Sequence, residues 1–374
     1  MQLAFIIYAM QAGGAERVLS IMANHLAGKS HDVTLIILED DSRVSFYDID
    51  ARIHQVSLDV AGASKNRLMG ILNNFRRIYK LRTAIRKIQA DAIISFMTET
   101  NVLTLIAAYG LSTPVVVTEH TDPWQASVAG VWKKLRTLLY PRASRTVVLN
   151  ERAREYFDQS PRIKTMVLPN PVVIEADKDH VDQDYQVGSG HLIIGMGRLS
   201  RKKRFDLLIG AYSRVAAKYS DWNLMILGEG PDRESLEALR DELGLNERVI
   251  LPGAVRTPHV ALKRAEMFVS SSELEGFPMA LCEAMACGLP VVAAEYHSAV
   301  SDIIEDGQNG ILVPKGDSEA LAATMIHLIN DPRERKRLAE NSVEIGTRYS
   351  VDAVMERWEQ LLKEVASPQH QVPV

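Results

Sequence analysis

The sequence predicts an α/β protein built from two doubly wound, Rossmann-like domains, and three observations carry that expectation. The chain has 374 residues, more than one hydrophobic core usually supports. Short runs rich in Val, Ile and Leu alternate with helical patterns throughout, as in βαβ units around a parallel sheet. A polar stretch without apolar period, EADKDHVDQDYQVGSG, follows NPV at 170–172 and interrupts the alternation near the middle.

Taken in order, the strands of the first half are LAFIIYA, VTLIIL, DAIISF, PVVVTEH, RTVVLN and KTMVLPN. Those of the second are HLIIGMGRL, NLMILGEG, RVILPG, MFVSSS, PVVAA and GILVP. The closing segment, SVDAVMERWEQLLKEV, starts at the N-cap candidate Ser350 and has helical apolar spacing. The expected boundaries are 1–172 for an N-terminal domain, 173–190 for a linker, 191–349 for a C-terminal domain, 350–367 for the last helix and 368–374 for a tail.

Composition is that of an ordinary soluble globular protein, 47% hydrophobic and 24% charged. The net charge of −4 divides unevenly: residues 1–180 carry 22 Lys and Arg against 18 Asp and Glu, residues 181–374 carry 21 against 29. A positive front half points to an anionic surface or ligand there, or to two solvated domains that differ by chance. Cys282 and Cys287, five residues apart in a helical pattern, have Cα atoms roughly 8 Å apart, too far for a disulfide. They read as small core residues of a reducing compartment. MQLAFIIYAM lacks a basic leader and reads as a first strand, not a signal peptide. No run of about 18 uncharged apolar residues occurs, so any membrane contact is expected to be peripheral.

Ligands of doubly wound folds bind at the carboxyl ends of the strands, so the strand-to-helix turns carry most information. In QAGGAERV, Gly13 and Gly14 stand between strand and helix, where glycine lets backbone approach a phosphate at a helix N-terminus; a plain tight turn explains them equally. In GMGRLSRKKRFD, Arg198 leaves the strand and Lys203 lies at the helix entrance, positioned to reach one diphosphate. A solvated basic turn accounts for Arg201, Lys202 and Arg204. In EGFPMALCEAMACGLPVV, Pro278 suits the first position of a helix, Gly288 its C′ position and Pro290 the stop beyond. Glu275 then precedes the helix and Glu283 lies in its second turn. A carboxylate cannot bind a phosphate, but it accepts hydrogen bonds from hydroxyls, which sugars supply. Capping of the loop by a structural glutamate is the alternative.

GGAERV, TEH, GRLSRKKRFD, LGEGP and EGFPMALCEAMACGLPVVA, in this order, resemble the retaining nucleotide-sugar glycosyltransferases of family 4. The resemblance covers nearly the whole chain. It implies the GT-B fold, two Rossmann-like domains facing a central cleft, with the last helix crossing back to the N-terminal domain. It also implies roles: Gly13 and Gly14 approach the diphosphate of the sugar donor, Arg198 and Lys203 neutralise it, Glu275 binds the donor sugar, Glu283 the ribose, and Gly228 and Gly230 of LGEGP shape the turn near the base. His120, in TEH, comes near the reacting sugar, although a lone histidine is often structural. Pro278 replaces a glycine frequent in the family and removes one backbone N–H there.

From Lys65 to Ala90 the chain carries eight Lys and Arg and no acid, with Leu68, Ile71, Leu72, Phe75, Ile78, Tyr79, Ile85 and Ile88 at helical steps. Such a helix lies on an anionic membrane or grips a lipid diphosphate, through Arg76, Arg77, Lys80, Arg86 and Lys87, unless its charges are simply solvated. VWKKLRTLLYPR at 131–142 is a second candidate, with Trp132 and Tyr140 suited to a headgroup interface. Asp-x-Asp pairs at 48–50, 177–179 and 182–184 lie in polar connecting segments, so no metal is expected.

The expected function is retaining transfer of a hexose or N-acetylhexosamine from a nucleotide sugar, UDP-linked, to a polyprenyl-diphosphate-linked glycan of O-antigen, capsule or similar assembly. A monomer on the cytoplasmic face of the inner membrane, with no cofactor and no nucleic-acid partner, goes with it. The alternatives are a soluble transferase acting on a small acceptor, a nucleotide-sugar epimerase of the same fold, and a non-catalytic nucleotide-sugar-binding protein.

Overall fold

The computed structural model describes residues 1–39, 45–60, 67–125, 128, 130–173, 190–255, 257–296 and 300–367. Nearly all of the expected linker and the whole tail fall outside them. The chain forms two compact units, Met1–Pro171 with Val351–Val374, and Val172–Ser350.

In the first unit the strands are β1 (Gln2–Ile7), β2 (Asp32–Ile37), β3 (His54–Ser57), β4 (Ala92–Phe96), β5 (Val115–Thr118), β6 (Arg145–Val148) and β7 (Thr165–Val167). They make one parallel sheet in the order β3-β2-β1-β4-β5-β6-β7. The apolar runs of β1, β4 and β5 are buried along nearly their whole length, as a parallel sheet covered on both faces requires. The sequence reading has no strand at β3. Its HQVS has exposed His54 and Gln55 at the sheet edge, so pairing with β2, not burial, makes it a strand.

The helices of this unit are α1 (Gly14–Gly28), α2 (Arg67–Ile88), α3 (Thr98–Ala107), α4 (Gly130–Leu139) and α5 (Glu151–Asp158). One core cluster joins Leu81 and Ile85 of α2, Val102 and Leu105 of α3, and Leu139 of α4 to the sheet residues Ile6, Ile93 and Val117.

The second unit has β8 (His191–Met196), β9 (Trp222–Leu227), β10 (Val249–Gly253), β11 (Met267–Ser270), β12 (Val291–Glu295) and β13 (Ile311–Pro314). The order is β10-β9-β8-β11-β12-β13, again parallel. Its helices are α6 (Phe205–Ala216), α7 (Arg233–Glu242), α8 (Pro258–Arg264), α9 (Met279–Ala286), α10 (Ser318–Asn330), α11 (Pro332–Ser342) and α12 (Glu344–Arg348). Pro278 is the N-cap of α9, so the helix starts one residue later than the sequence reading has it, and Gly288 follows the C-cap Cys287 with φ +77°.

Helix α13 (Val351–Ala366) belongs to the first unit. It buries Val354, Met355, Trp358, Leu361, Leu362 and Val365, each worth about 1.5–3 kcal/mol when fully removed from water. Polar contacts fix its register: Lys29 pairs with Glu359 at 3.1 Å, Arg145 with Glu364, and Arg357 donates to the Val167 carbonyl at 2.7 Å.

In each sheet the chain lays strands outward on one side and then crosses to the other. The switch points fall between β1 and β4 and between β8 and β11. Turns that leave those strands at their carboxyl ends are where ligands of such sheets bind.

Candidate functional site

The turn leaving β8 folds back on itself. Gly197 has φ +152°, and a Cβ there would lie 2.9 Å from Lys203 Cε, so glycine opens the path for the lysine stem. Lys203 Nζ reaches Glu275 Oε2 at 2.8 Å, with side chains 18% and 11% exposed. Glu275 stands in the segment leaving β11, so the pair straddles the switch point of the second sheet.

Side chains that sequence reasoning missed hold these two turns together. Ser271 Oγ donates to the Lys203 carbonyl at 2.8 Å, and the Glu273 N–H donates to the Lys202 carbonyl at 2.9 Å. Arg204 sits at φ +50°, ψ +43°, a left-handed conformation that costs an L-residue about 1–2 kcal/mol. Its guanidinium is gripped by Asp206, Nε to Oδ1 at 3.1 Å, and by Glu273. The polar run SSSELEG was the one visible hint of this lattice.

Arg198 is exposed and makes no hydrogen bond or ion pair among the described residues. Glu283, in the second turn of α9, is 1% exposed. Gly228 and Gly230 stand where the turn leaving β9 packs against the turn leaving β8. A Cβ on Gly228 would lie 1.9 Å from the Gly197 carbonyl oxygen, and one on Gly230 2.2 Å from that of Leu199. The two turns are also tied by Leu199 N–H to Glu229 O at 3.0 Å and Asp232 N–H to Leu199 O at 3.1 Å. These glycines permit backbone contact beneath Arg198. A cavity of about 530 Å³ nearby is lined by Arg201, Arg204, Asp206, Asp232 and Glu273 among others, with neither Lys203 nor Glu275 in its wall.

In the first unit, Gly13 is the N-cap of α1 in an extended conformation and Gly14 has open space where a side chain would stand. The Glu16 carboxylate folds over Gly13, its Oε2 2.2 Å from a Cβ placed there. An acid thus complements the helix N-terminus where the sequence reading has a phosphate.

His120 leaves β5 and stacks on Phe96, ring centroids 5.2 Å apart, while Phe96 stacks on Phe5 at 6.1 Å. Its Nε2 lies 3.1 Å from Thr118 Oγ1, and its Nδ1 has no hydrogen-bond partner among the described residues. Burial drives its pKa down from 6.5 to about 4, so the ring is neutral near neutral pH. Beneath it is a network the sequence reading did not contain. Glu119, 2% exposed, accepts from Thr98 Oγ1 at 2.9 and 2.8 Å and from the Tyr140 hydroxyl, which also accepts from Asn101 Nδ2 at 3.0 Å. Burial pushes the Glu119 carboxyl up, and Arg136 works against it. The network braces the turn leaving β4, where Met97 holds φ +74°, ψ +143°, a strained conformation for any residue but glycine.

The basic helix begins at Arg67, and residues 65–66 lie outside the described chain. Its apolar residues split between two faces. Ile78, Leu81, Ile85 and Ile88 face the core, whereas Met69, Leu72, Phe75 and Tyr79 are 45%, 62%, 67% and 73% exposed. Arg76, Arg86 and Lys87 are exposed beside that stripe. Arg77 and Lys80 are engaged inward, Arg77 Nε on the Val60 carbonyl at 2.9 Å and Lys80 Nζ on the Leu58 carbonyl at 2.7 Å. In α4 and the turn that follows it the headgroup residues expected from the sequence are corrected. Tyr140 is fully buried, because its hydroxyl serves Glu119, and Trp132 packs on the core. Val131 and Leu138, 61% and 65% exposed, take the outer positions.

No helix among the described residues is long and apolar enough to cross a membrane. No group of three or more His, Cys, Asp or Glu able to hold a metal occurs among them either. Asp50 of the first Asp-x-Asp pair is bound by Arg52, 2.6 Å away; the other two pairs lie outside the described residues.

Comparison with known proteins matches these units to family models. Residues 12–176 match Glycosyltransferase Family 4 and residues 178–344 match Glycosyl transferases group 1. The chain is 27% identical, over 98% of its length and 99% of the relative's, to the "GalNAc-alpha-(1->4)-GalNAc-alpha-(1->3)-diNAcBac-PP-undecaprenol alpha-1,4-N-acetyl-D-galactosaminyltransferase" of Campylobacter jejuni. Among solved structures it resembles sucrose-phosphate synthase of Thermosynechococcus elongatus, with TM-score 0.84, 18% identity, and 97% and 98% of the two chains covered. It also resembles Anabaena HepE in complex with UDP-glucose, with TM-score 0.75, 20% identity, and 97% and 99% covered. Two parallel-sheet units, matched in turn by these two family models and over nearly the whole chain by the relative and the solved structures, make the chain a glycosyltransferase of family 4 with the GT-B fold.

Proposed function

We propose that the chain transfers a hexose or N-acetylhexosamine from a UDP-sugar, with retention of configuration, to a hydroxyl of a glycan carried on a polyprenyl diphosphate. The Lys203–Glu275 pair carries this reading, because it sets a cation and a hydroxyl-accepting carboxylate 2.8 Å apart at a sheet's switch point. A nucleotide sugar presents those two chemistries side by side, as diphosphate and sugar. In this reading Lys203 and the exposed Arg198 neutralise the departing diphosphate, a task that two protein cations can perform in place of a metal. Glu275 accepts from the sugar hydroxyls and Glu283 from the ribose. A phosphate oxygen of the departing group takes the proton of the acceptor hydroxyl. His120, neutral and with Nδ1 unengaged, is the group of the first unit assigned to the reacting sugar, and the Gly13–Gly14 turn gives close backbone approach.

The lipid-linked acceptor is supported by the Campylobacter jejuni relative, whose name specifies a PP-undecaprenol glycan, and the UDP donor by the HepE complex. Peripheral work on the cytoplasmic face of the inner membrane fits the outer stripe of α2, where exposed aromatic and aliphatic side chains lie beside Arg76, Arg86 and Lys87. The test is incubation with labelled UDP-N-acetylgalactosamine, UDP-N-acetylglucosamine and UDP-glucose, a diphosphoundecaprenol-linked glycan and a chelator. Label entering the lipid phase is expected. Label only on a soluble acceptor or in free sugar, or activity lost to the chelator, contradicts the corresponding part of the proposal.

A further inference from the structure

Among the described residues three tyrosines are fully buried, and two of them place their hydroxyls. Tyr140 donates to Glu119, and Tyr212 donates to the Trp222 carbonyl at 2.7 Å. The third, Tyr296, is 1% exposed and its hydroxyl has no hydrogen-bond partner among the described residues. A buried hydroxyl left this way destabilises the fold, whereas phenylalanine of the same shape does not.

Its position gives the hydroxyl a use. Tyr296 is the first residue past β12, the strand paired with β11, and Ala293 of β12 stands opposite Ser270 of β11. The segment leaving β11 carries Glu275, so the two residues leave neighbouring strands at the same end of the sheet. Burial first, and then the nearby charges of Glu275 and Cys282, push the Tyr296 phenol far above its ordinary pKa. It therefore stays protonated and able to donate near neutral pH.

We propose that Tyr296 is a positioning residue for Glu275, its hydroxyl donating to the carboxylate when Lys203 turns from Glu275 to the diphosphate. This rests on the proposed role of the Lys203–Glu275 pair. With Lys203 engaged by Glu275 in the free chain, the carboxylate loses its cation at the moment the sugar arrives. A second, uncharged donor then keeps it in place without competing with the sugar hydroxyls for charge.

The test is a thermal-denaturation cycle on four ligand-free proteins: wild type, Tyr296→Phe, Lys203→Met and the double variant. In the wild-type background Tyr296→Phe is expected to leave the Tm unchanged or raise it by about 2–4 °C. In the Lys203→Met background, where the hydroxyl serves Glu275, the same change is expected to lower the Tm by a similar amount. An effect of the same sign and size in both backgrounds overturns the proposal. Kinetics supply the second arm. Tyr296→Phe is expected to cut kcat about tenfold or more while UDP affinity stays within about threefold; unchanged kcat also overturns it. Should the wild type transfer no sugar from any UDP donor, the functional reading fails while the denaturation cycle still decides Tyr296.

Discussion

Lys203 Nζ and Glu275 Oε2 meet at 2.8 Å on the turns flanking the switch point of the second sheet, each side chain largely shielded from water. Arg198, on the same turn as Lys203, is exposed and makes no such pair. Two basic residues of one motif therefore differ in what their removal does to the fold.

Arg198→Ala is expected to weaken UDP binding by about 1.5–3 kcal/mol, the scale of a charge-assisted hydrogen bond, with no change in Tm. Lys203→Ala is expected to weaken UDP binding by a similar amount and also to lower the Tm, because it strips a poorly solvated carboxylate of its cation. Calorimetry with UDP and thermal denaturation of both variants check this. UDP affinity unaltered in both removes them from the site.

Gly228→Ala and Gly230→Ala are expected to destabilise the second unit by several kcal/mol, since each added Cβ falls near 2 Å from a backbone oxygen that cannot yield. Loss of soluble expression or a Tm lowered by many degrees is the expected result. Normal Tm in both, with UDP binding lost, assigns the glycines to the ligand instead.

His120 makes stability depend on pH. Its pKa is 6.5 in the unfolded chain and about 4 in the fold, so on acidification the unfolded chain takes the proton first. The contribution is intact above 6.5 and is lost as pH falls through the window from 6.5 to about 4, up to about 3 kcal/mol. Urea denaturation of wild type and His120→Asn on both sides of that window is expected to show a wild-type advantage that shrinks as pH falls. Parallel stabilities across the window contradict it.

Neutralising Arg76, Arg86 and Lys87 together is expected to abolish co-sedimentation with anionic liposomes at low salt, each charge being worth about 1 kcal/mol there and less as salt rises. Replacing Leu72, Phe75 and Tyr79 by serine is expected to do the same at any salt. UDP binding stays in both. Arg77→Ala and Lys80→Ala are expected to lower the Tm instead, because they hold the Val60 and Leu58 carbonyls. A wild type that remains in the supernatant at low salt removes the membrane from the account.

Strands with buried Val and Ile runs and the paired motifs were legible because their signal is local. What was not legible depends on neighbours far along the chain. Strand β3 exists by pairing with β2, although HQVS has no apolar alternation. Tyr140 reads as an interfacial aromatic until Glu119, 21 residues upstream, is found at its hydroxyl. The apolar residues of α2 run round more than one face, and only packing against α3 decides that Ile85 is covered and Phe75 is not. In the second unit Lys203 and Glu275 were each legible from their motifs, but their pairing, and the Ser271, Glu273 and Arg204 contacts that enforce it, join turns about 70 residues apart.

Glu275→Gln tests the central claim most directly, since it keeps the shape of the side chain and removes the charge that meets Lys203 and, in the proposed reaction, the sugar. The measurement is kcat with a UDP-sugar beside UDP affinity by calorimetry, for the variant and the wild type. The account predicts kcat lowered about a hundredfold or more with UDP affinity within about threefold. Equal losses in both, or no loss in kcat, contradict a role for Glu275 on the transferred sugar.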